Sequence, residues 1–130
     1  MKQYTRVFAE IDLDAVCFNM EAMRKNLVPG TKMIGVVKAD GYGHGAVPVA
    51  RAIGPYVEAY AVAAPEEALL LRRHGIKKPV LILGPVHKSW YEELIKNEIR
   101  PVIFTMEQAE ALSNQAVKMG MAADFHMAVD

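Results

Sequence analysis

Five short apolar runs, separated by segments with helical periodicity, limit the possible folds of this chain more than any other feature of the sequence. The runs are Met33–Val37, Tyr60–Ala63, Val80–Leu83, Val102–Phe104 and Phe125–Val129. Their first residues lie 27, 20, 22 and 23 residues apart. Strands that are apolar throughout are typical of a parallel sheet, because helices cover its faces. The pattern therefore predicts an α/β fold in which helices connect parallel strands.

The segments between the runs carry helix signals. Apolar residues recur at three-four spacing over residues 13–27, with Asp12 as a cap before them and Pro29-Gly30 as a stop after them. Pro65 stands where the first residue of another helix is expected, and the charges that follow it are acidic first and basic last. Those charges complement the helix dipole at both ends, so they indicate a helix there as well.

Two further helix starts have the spacing of a capping box, in which a hydroxyl and a Glu or Gln three residues later exchange backbone hydrogen bonds. The two pairs are Ser89 with Glu92 and Thr105 with Gln108. The predicted order is one helix, four strand–helix units and a fifth core strand, with residues 7–11 as an additional early strand.

Two architectures fit this order. One is an open doubly wound sheet, and the other is the first part of a barrel that needs eight strands. Periodicity alone suits both. The sequence ends on the apolar run Phe125–Val129, whereas a finished domain more often ends in a helix or a solvated tail. This favours the barrel, with more chain expected to follow.

Composition excludes several classes of protein. The 130 residues are 52% hydrophobic and 23% charged, which suits a folded domain with a core. Fifteen basic and fifteen acidic residues balance, so no nucleic-acid partner is expected. Cys17 is the only cysteine, and four scattered histidines predict no metal site. No secretory signal or membrane-length apolar run is present, so we expect a soluble, cytoplasmic protein with no membrane partner.

Lys38 stands at the position where chemistry is expected. It follows the apolar run Met33–Val37 directly and precedes a loop with three glycines. Parallel α/β folds bind ligands where strands end at their carboxyl side. Partial removal from water favours the neutral amine that Schiff-base formation requires, and the Tyr42 hydroxyl could donate to a phosphate oxygen. A lysine after a strand is nevertheless usually a solvated surface residue, and the glycine spacing matches neither nucleotide-binding loop.

The segment Val36–Gly45, VVKADGYGHG, resembles the pyridoxal-phosphate attachment motif of alanine racemases over ten consecutive residues. The resemblance extends along the chain to Ala9–Leu13, to the helix containing Asn19, to Tyr60–Ala63 with Glu66–Ala68 after it, to Pro79–Gly84 and to His126–Asp130.

This resemblance implies a fold and a function. Residues 1–130 would form the first five strand–helix units of a truncated (β/α)8 TIM-type barrel, without the family's carboxyl-terminal β domain. The protein would be an isomerase that interconverts L-alanine and D-alanine with pyridoxal 5'-phosphate, and its D-alanine would serve as a peptidoglycan precursor. Lys38 would bind the cofactor covalently and act as one of two acid–base groups, while Tyr42 would bind the cofactor phosphate.

The resemblance also implies what this segment lacks. In the family's homodimer the second acid–base residue is a tyrosine from the partner's β domain, so the 130-residue piece alone is expected to be inactive. Ala128 occupies a position where many members have a carbamate-modified lysine that orients the arginine for the substrate carboxylate. A bound anion could serve that role instead.

Other interpretations remain at this point. The chain could belong to a pyridoxal-phosphate-binding carrier or homeostasis barrel without racemase activity, or to a related serine racemase. It could also be an open α/β domain with no cofactor. His44 is interpreted as a residue that fixes its loop, because histidines near sites often only orient their neighbours.

Overall fold

The chain folds into parallel strands connected by helices, and the computed structural model describes residues 6–129. In these residues no helix is both long enough and apolar enough to cross a bilayer. The elements in chain order are α1 (Leu13–Lys25), β1 (Ile34–Val36), α2 (Lys38–Tyr42), α3 (Ala46–Ile53), a 3-10 turn (Gly54–Tyr56), β2 (Ala59–Val62), α4 (Pro65–Arg73), β3 (Val80–Ile82), a 3-10 turn (Lys88–Trp90), α5 (Tyr91–Lys96), β4 (Ile99–Ile103), α6 (Met106–Met119) and β5 (His126–Met127).

The strands lie side by side in the order in which they occur in the chain, β1-β2-β3-β4-β5, and every neighbouring pair is parallel. Right-handed crossovers that always step in the same direction leave all helices on one face of the sheet. A doubly wound sheet would instead reverse its strand order at a switch point. The arrangement is therefore the first part of a (β/α)8 barrel, and the open-sheet alternative is wrong.

The hydrophobic core lies between the sheet and its helices. Alternate strand residues, among them Tyr60, Val62 and Ile82, are buried there together with Leu71 and Leu94 of the helices. Gly35 faces the same core, and a Cβ there would lie 2.6 Å from the Ile53 Cδ1 atom. A residue without a side chain at this position lets α3 pack closely against β1.

The opposite face of the sheet is the inner face of the barrel. Val36, Ala61, Leu81 and Arg100 stand side by side across it. Ala61 and Leu81 are buried in the middle strands, but 41% of Val36 is exposed at the edge. Within residues 6–129, β1 and β5 each have one neighbouring strand, so the sheet has two open edges.

Two of the helix starts expected from the sequence are confirmed. The Asp12 carboxylate accepts a hydrogen bond from the Ala15 amide at 3.0 Å and caps α1. Thr105 and Gln108 form both hydrogen bonds of the capping box that begins α6. Local side-chain chemistry therefore determines where these two helices begin.

Two other local expectations are wrong. Ser89 and Glu92 form no capping box, because a 3-10 turn precedes α5 and the Ser89 amide donates to the His87 ring instead. Residues 7–11 form no strand, since they pair with no other strand in the described part of the chain. Val7 and Phe8 are largely exposed there.

Arg72, near the end of α4, ties the amino ends of β3 and β4 together. Its half-buried guanidinium donates to the carbonyl oxygens of Asn97 at 2.8 Å and of Ile76, Lys78 and Glu98 at 2.9 Å. Burial lowers the pKa of this guanidinium, which nonetheless stays charged at neutral pH. Four loop carbonyls thus share one cation.

We expect Arg72→Ala to lower the free energy of unfolding by about 3 kcal/mol, because hydrogen bonds to a charged group are lost and part-buried carbonyls are left without partners. Arg73→Ala is the matched control, since Arg73 is exposed on the same helical turn. Urea denaturation of both variants makes the comparison. Equal midpoints would contradict the role given to Arg72.

We also expect residues 1–130 on their own to self-associate. Open edges of a sheet expose unpaired backbone groups beside apolar side chains, which recruit other strands. Sedimentation velocity over a range of concentrations measures this directly. A monomer that unfolds cooperatively would contradict this expectation, because the inner face and edges of the sheet would then be stable in contact with water.

Candidate active site

The segment after β1 is a left-handed turn, here called the Lys38 turn (α2, Lys38–Tyr42). Its φ and ψ angles are 50° and 50° at Ala39, 52° and 46° at Asp40, and 64° and 38° at Gly41. Tyr42 follows with a φ of 56°. The left-handed conformation costs a residue with a side chain roughly 1–2 kcal/mol, and three such residues adopt it here. A turn of this kind persists only where its surroundings compensate the strain.

Backbone hydrogen bonds give part of that compensation. The Gly41 amide donates to the Val37 carbonyl at 3.0 Å, and the Gly43 amide donates to the Ala39 carbonyl at the same distance. The His44 Nδ1 atom lies 3.1 Å from the carbonyl oxygens of both Gly41 and Tyr42. Because carbonyls only accept, this ring nitrogen carries the hydrogen. His44 thus fixes the turn, as the sequence interpretation expected.

Asp40 joins the turn to the next helix. Its Oδ1 atom accepts from the amide of Ala46, the first residue of α3, at 2.8 Å. Its carbonyl accepts from the Gly45 amide at 2.8 Å. Aspartate adopts the left-handed conformation more readily than most residues. The side chain therefore suits both the backbone angle and the helix start.

Glu67 joins the turn to the neighbouring strand. One carboxylate oxygen, Oε1, accepts from the Ala39 amide at 2.7 Å. The other, Oε2, accepts from the Ala63 amide at 2.7 Å, just beyond the end of β2. Both bonds are short and go to an ionised acceptor, so they belong to the stronger class of hydrogen bonds.

The turn brings together the two residues that the sequence singled out. The Lys38 Nζ atom lies 6.0 Å from the centroid of the Tyr42 ring, at the outer limit of a cation–π contact. Lys38 is half-buried, and 59% of Tyr42 is exposed. An amine and a phenol thus stand side by side at the carboxyl end of β1, where a ligand can reach both.

Sequence reasoning did not find the structural roles of Asp40 and Glu67. A glutamate in the first turn of a helix could have predicted a bond back to the preceding backbone, as in a capping box. No local pattern signals the bond to Ala39, which lies 28 residues away. Ala128, where the family often has lysine, follows β5, and its amide donates to the Ile103 carbonyl at 2.9 Å.

A cavity of about 310 Å³ lies at the other end of the sheet, near the amino ends of β3, β4 and β5. Arg72, Lys77 and Asp124 contribute to its lining. In barrels of this kind the amino end of the sheet serves stability, and chemistry takes place at the carboxyl end. The Lys38 turn is therefore the better candidate site.

Comparison with known proteins identifies the family of the chain. Residues 11–130 match the family profile described as "Alanine racemase, N-terminal domain". The chain is 41% identical over 124 residues to an alanine racemase of Syntrophobacter fumaroxidans, with 95% of this chain and 33% of the relative covered. It is 43% identical over 125 residues to an alanine racemase of Desulfovibrio desulfuricans, with 95% and 34% covered.

Solved structures give the same result. An alanine racemase of Clostridium difficile in complex with cycloserine superposes with a TM-score of 0.94 and 37% identity, covering 99% of this chain and 35% of that one. An alanine racemase of Bacillus anthracis with bound L-Ala-P gives a TM-score of 0.83 and 32% identity, covering 97% and 33%. The chain spans about a third of the length of these relatives. With 120 of its 130 residues inside the profile, it belongs to the alanine racemase family and corresponds to the amino-terminal domain.

Proposed function

We propose that the protein carrying this segment is a pyridoxal-phosphate-dependent racemase that interconverts L-alanine and D-alanine. The observation that carries the proposal is the Lys38 turn, a strained turn that holds an amine and a phenol together at the carboxyl end of β1. Family membership supports the reaction class. Strain of this kind is characteristic of functional sites rather than of ordinary loops.

The residues of the turn fit the cofactor chemically. Lys38 provides the primary amine that an aldehyde needs, and Tyr42 provides a hydroxyl donor for a phosphate oxygen. Gly41 has almost no room beside it, since a Cβ there would lie 3.2 Å from the Ala46 amide nitrogen. The conformation of this compact backbone therefore sets the directions in which the Lys38 and Tyr42 side chains leave it.

When bound, pyridoxal phosphate supplies an electron-withdrawing ring that acidifies the α proton of an amino acid. The residues of this chain contribute binding and proton transfer. Lys38 would hold the cofactor and then, as a free amine, take up or return a proton on one face of the substrate's α carbon. Tyr42 would fix the phosphate, and His44 and Asp40 would hold the turn rigid around both.

Inversion at the α carbon needs a second proton-carrying group on the opposite face. We place that group outside residues 1–130, in a homodimer whose partner subunit supplies it. We further propose alanine as the substrate, the cytoplasm as the compartment and peptidoglycan synthesis as the use of the product. A cofactor-carrier barrel would share the lysine but would not exchange the α proton, and a serine racemase would exchange that of serine faster.

Replacement of Lys38 by alanine in the complete protein should abolish covalent attachment of pyridoxal phosphate. Borohydride reduction followed by mass analysis of the peptide around residue 38 measures this attachment. Lys32→Ala is the matched control, because Lys32 is exposed just before β1. An adduct on another lysine in the unaltered protein would disprove the assignment.

Replacement of Tyr42 by phenylalanine should weaken cofactor binding by roughly tenfold or more. A lost hydrogen bond to a charged phosphate corresponds to about 1.5–3 kcal/mol, at about 1.4 kcal/mol per decade. Fluorescence titration of the apoprotein gives the dissociation constant. Tyr56→Phe is the control, since the Tyr56 hydroxyl donates to Glu21 at 3.1 Å, in another part of the molecule. Unchanged affinity in Tyr42→Phe would place this hydroxyl outside the phosphate site.

A further inference from the structure

The hydrogen-bond ladder between β1 and β2 ends in an unusual way. Its last rung is the bond from the Val37 amide to the Ala61 carbonyl, at 2.9 Å. Two residues further along each strand, the amides of Ala39 and Ala63 would continue a regular parallel ladder. Both donate instead to the carboxylate of Glu67. One side chain thus takes the place of the ladder where the Lys38 turn begins.

We propose that Glu67 is a positioning residue for the cofactor lysine. Glu67 binds the amide of the peptide group between Lys38 and Ala39. The carboxylate therefore fixes the orientation of this peptide plane relative to the Lys38 Cα atom. The same carboxylate ties this plane to the end of β2. The direction in which the Lys38 side chain leaves the backbone is thereby set before any ligand binds. The part of this inference that concerns the cofactor rests on the proposed function.

A carboxylate is the side-chain group best suited to this position. It accepts through both oxygens, whereas the amide of glutamine offers one acceptor oxygen and one donor group. A glutamine here would satisfy one backbone amide and direct its own N–H groups at the other. The negative charge also lies in the first turn of α4, where the helix dipole stabilises it.

Helix α4 holds Glu67 firmly. Ala68 and Leu71, which lie on the helix face next to Glu67, are fully buried in the core. Glu67 itself is half-buried, while its neighbour Glu66 is exposed. A rigid helix thus carries the carboxylate to a fixed place between two strand ends.

The alternative role for Glu67 is purely electrostatic: its negative charge would stabilise the amino end of α4 without positioning Lys38. Glu66 distinguishes the two roles, because it has the same charge in the same helical turn and is exposed. Glu66→Gln removes the dipole contribution and leaves the bonds to Ala39 and Ala63 intact. Glu67→Gln removes the same contribution and disrupts one of those bonds.

The test uses the complete protein with each of these two substitutions. Amide hydrogen exchange of the cofactor-free protein measures protection at Ala39 and Ala63. Titration with pyridoxal phosphate gives the dissociation constant, and circular dichroism in the visible band of the bound cofactor reports its orientation. We expect Glu67→Gln to exchange about tenfold faster at one or both amides and to bind the cofactor about tenfold more weakly, with an altered dichroism. Glu66→Gln should change neither property.

The outcomes separate the two proposals. Equal exchange and affinity in both variants would overturn the role of Glu67, and so would faster exchange with unchanged affinity and dichroism. Absence of a borohydride-reducible adduct on Lys38 in the unaltered protein would disprove the proposed function. Exchange at Ala39 would then decide alone whether Glu67 fixes the turn. If Glu67→Gln does not fold, Glu67→Asp, which keeps the charge and shortens the reach, makes the same comparison.

Discussion

The parallel direction of all five strands determines where chemistry can occur in this chain. Parallel strands in sequential order bring their carboxyl ends to one edge, and same-handed crossovers place the helices on one face. Consequently Lys38, at the end of β1, lies beside Ala63, at the end of β2, although the two are far apart in sequence. The Lys38 turn depends on that proximity, because the helix that follows β2 supplies Glu67 to it.

The same few side chains stabilise the strained Lys38 turn and the end of the hydrogen-bond ladder between β1 and β2. A strand that stops leaves amides without the partners that the next rung would have supplied. A left-handed turn adds roughly 1–2 kcal/mol for each residue with a side chain. Glu67 accepts from the orphaned amides, Asp40 caps α3, and His44 binds the carbonyls of the turn. Hydrogen bonds with one distant side chain, Glu67, and with two side chains of the loop itself, Asp40 and His44, thus stabilise the strained conformation.

The sequence predicted the features of the fold that depend on local chemistry. The five apolar runs correspond to the five strands, and the Asp12 and Thr105 caps begin their helices as expected. Periodicity alone did not determine the strand order, but the resemblance implied the sequential order of a barrel, and the structure confirms it. The early strand over residues 7–11 was wrong, because these residues pair with no other strand in the part of the chain that the structure describes. For the site, the motif singled out Lys38 and Tyr42 as candidates, and their roles stay predictions. The left-handed turn that brings them together depends partly on Glu67, which is distant in sequence.

Helix α4 shows why those distant groups escaped sequence analysis. Its charges agree with the helix dipole at both ends, so a local interpretation explains them completely and suggests nothing further. Yet Glu67 stands four residues before the buried Leu71, and Arg72 stands four residues after the buried Ala68. Both charges therefore border the buried stripe, one at the carboxyl end of the sheet and the other at its amino end. From this position Glu67 and Arg72 reach backbone groups at the ends of strands. Their exposed neighbours, Glu66 and Arg73, lie further from the buried stripe.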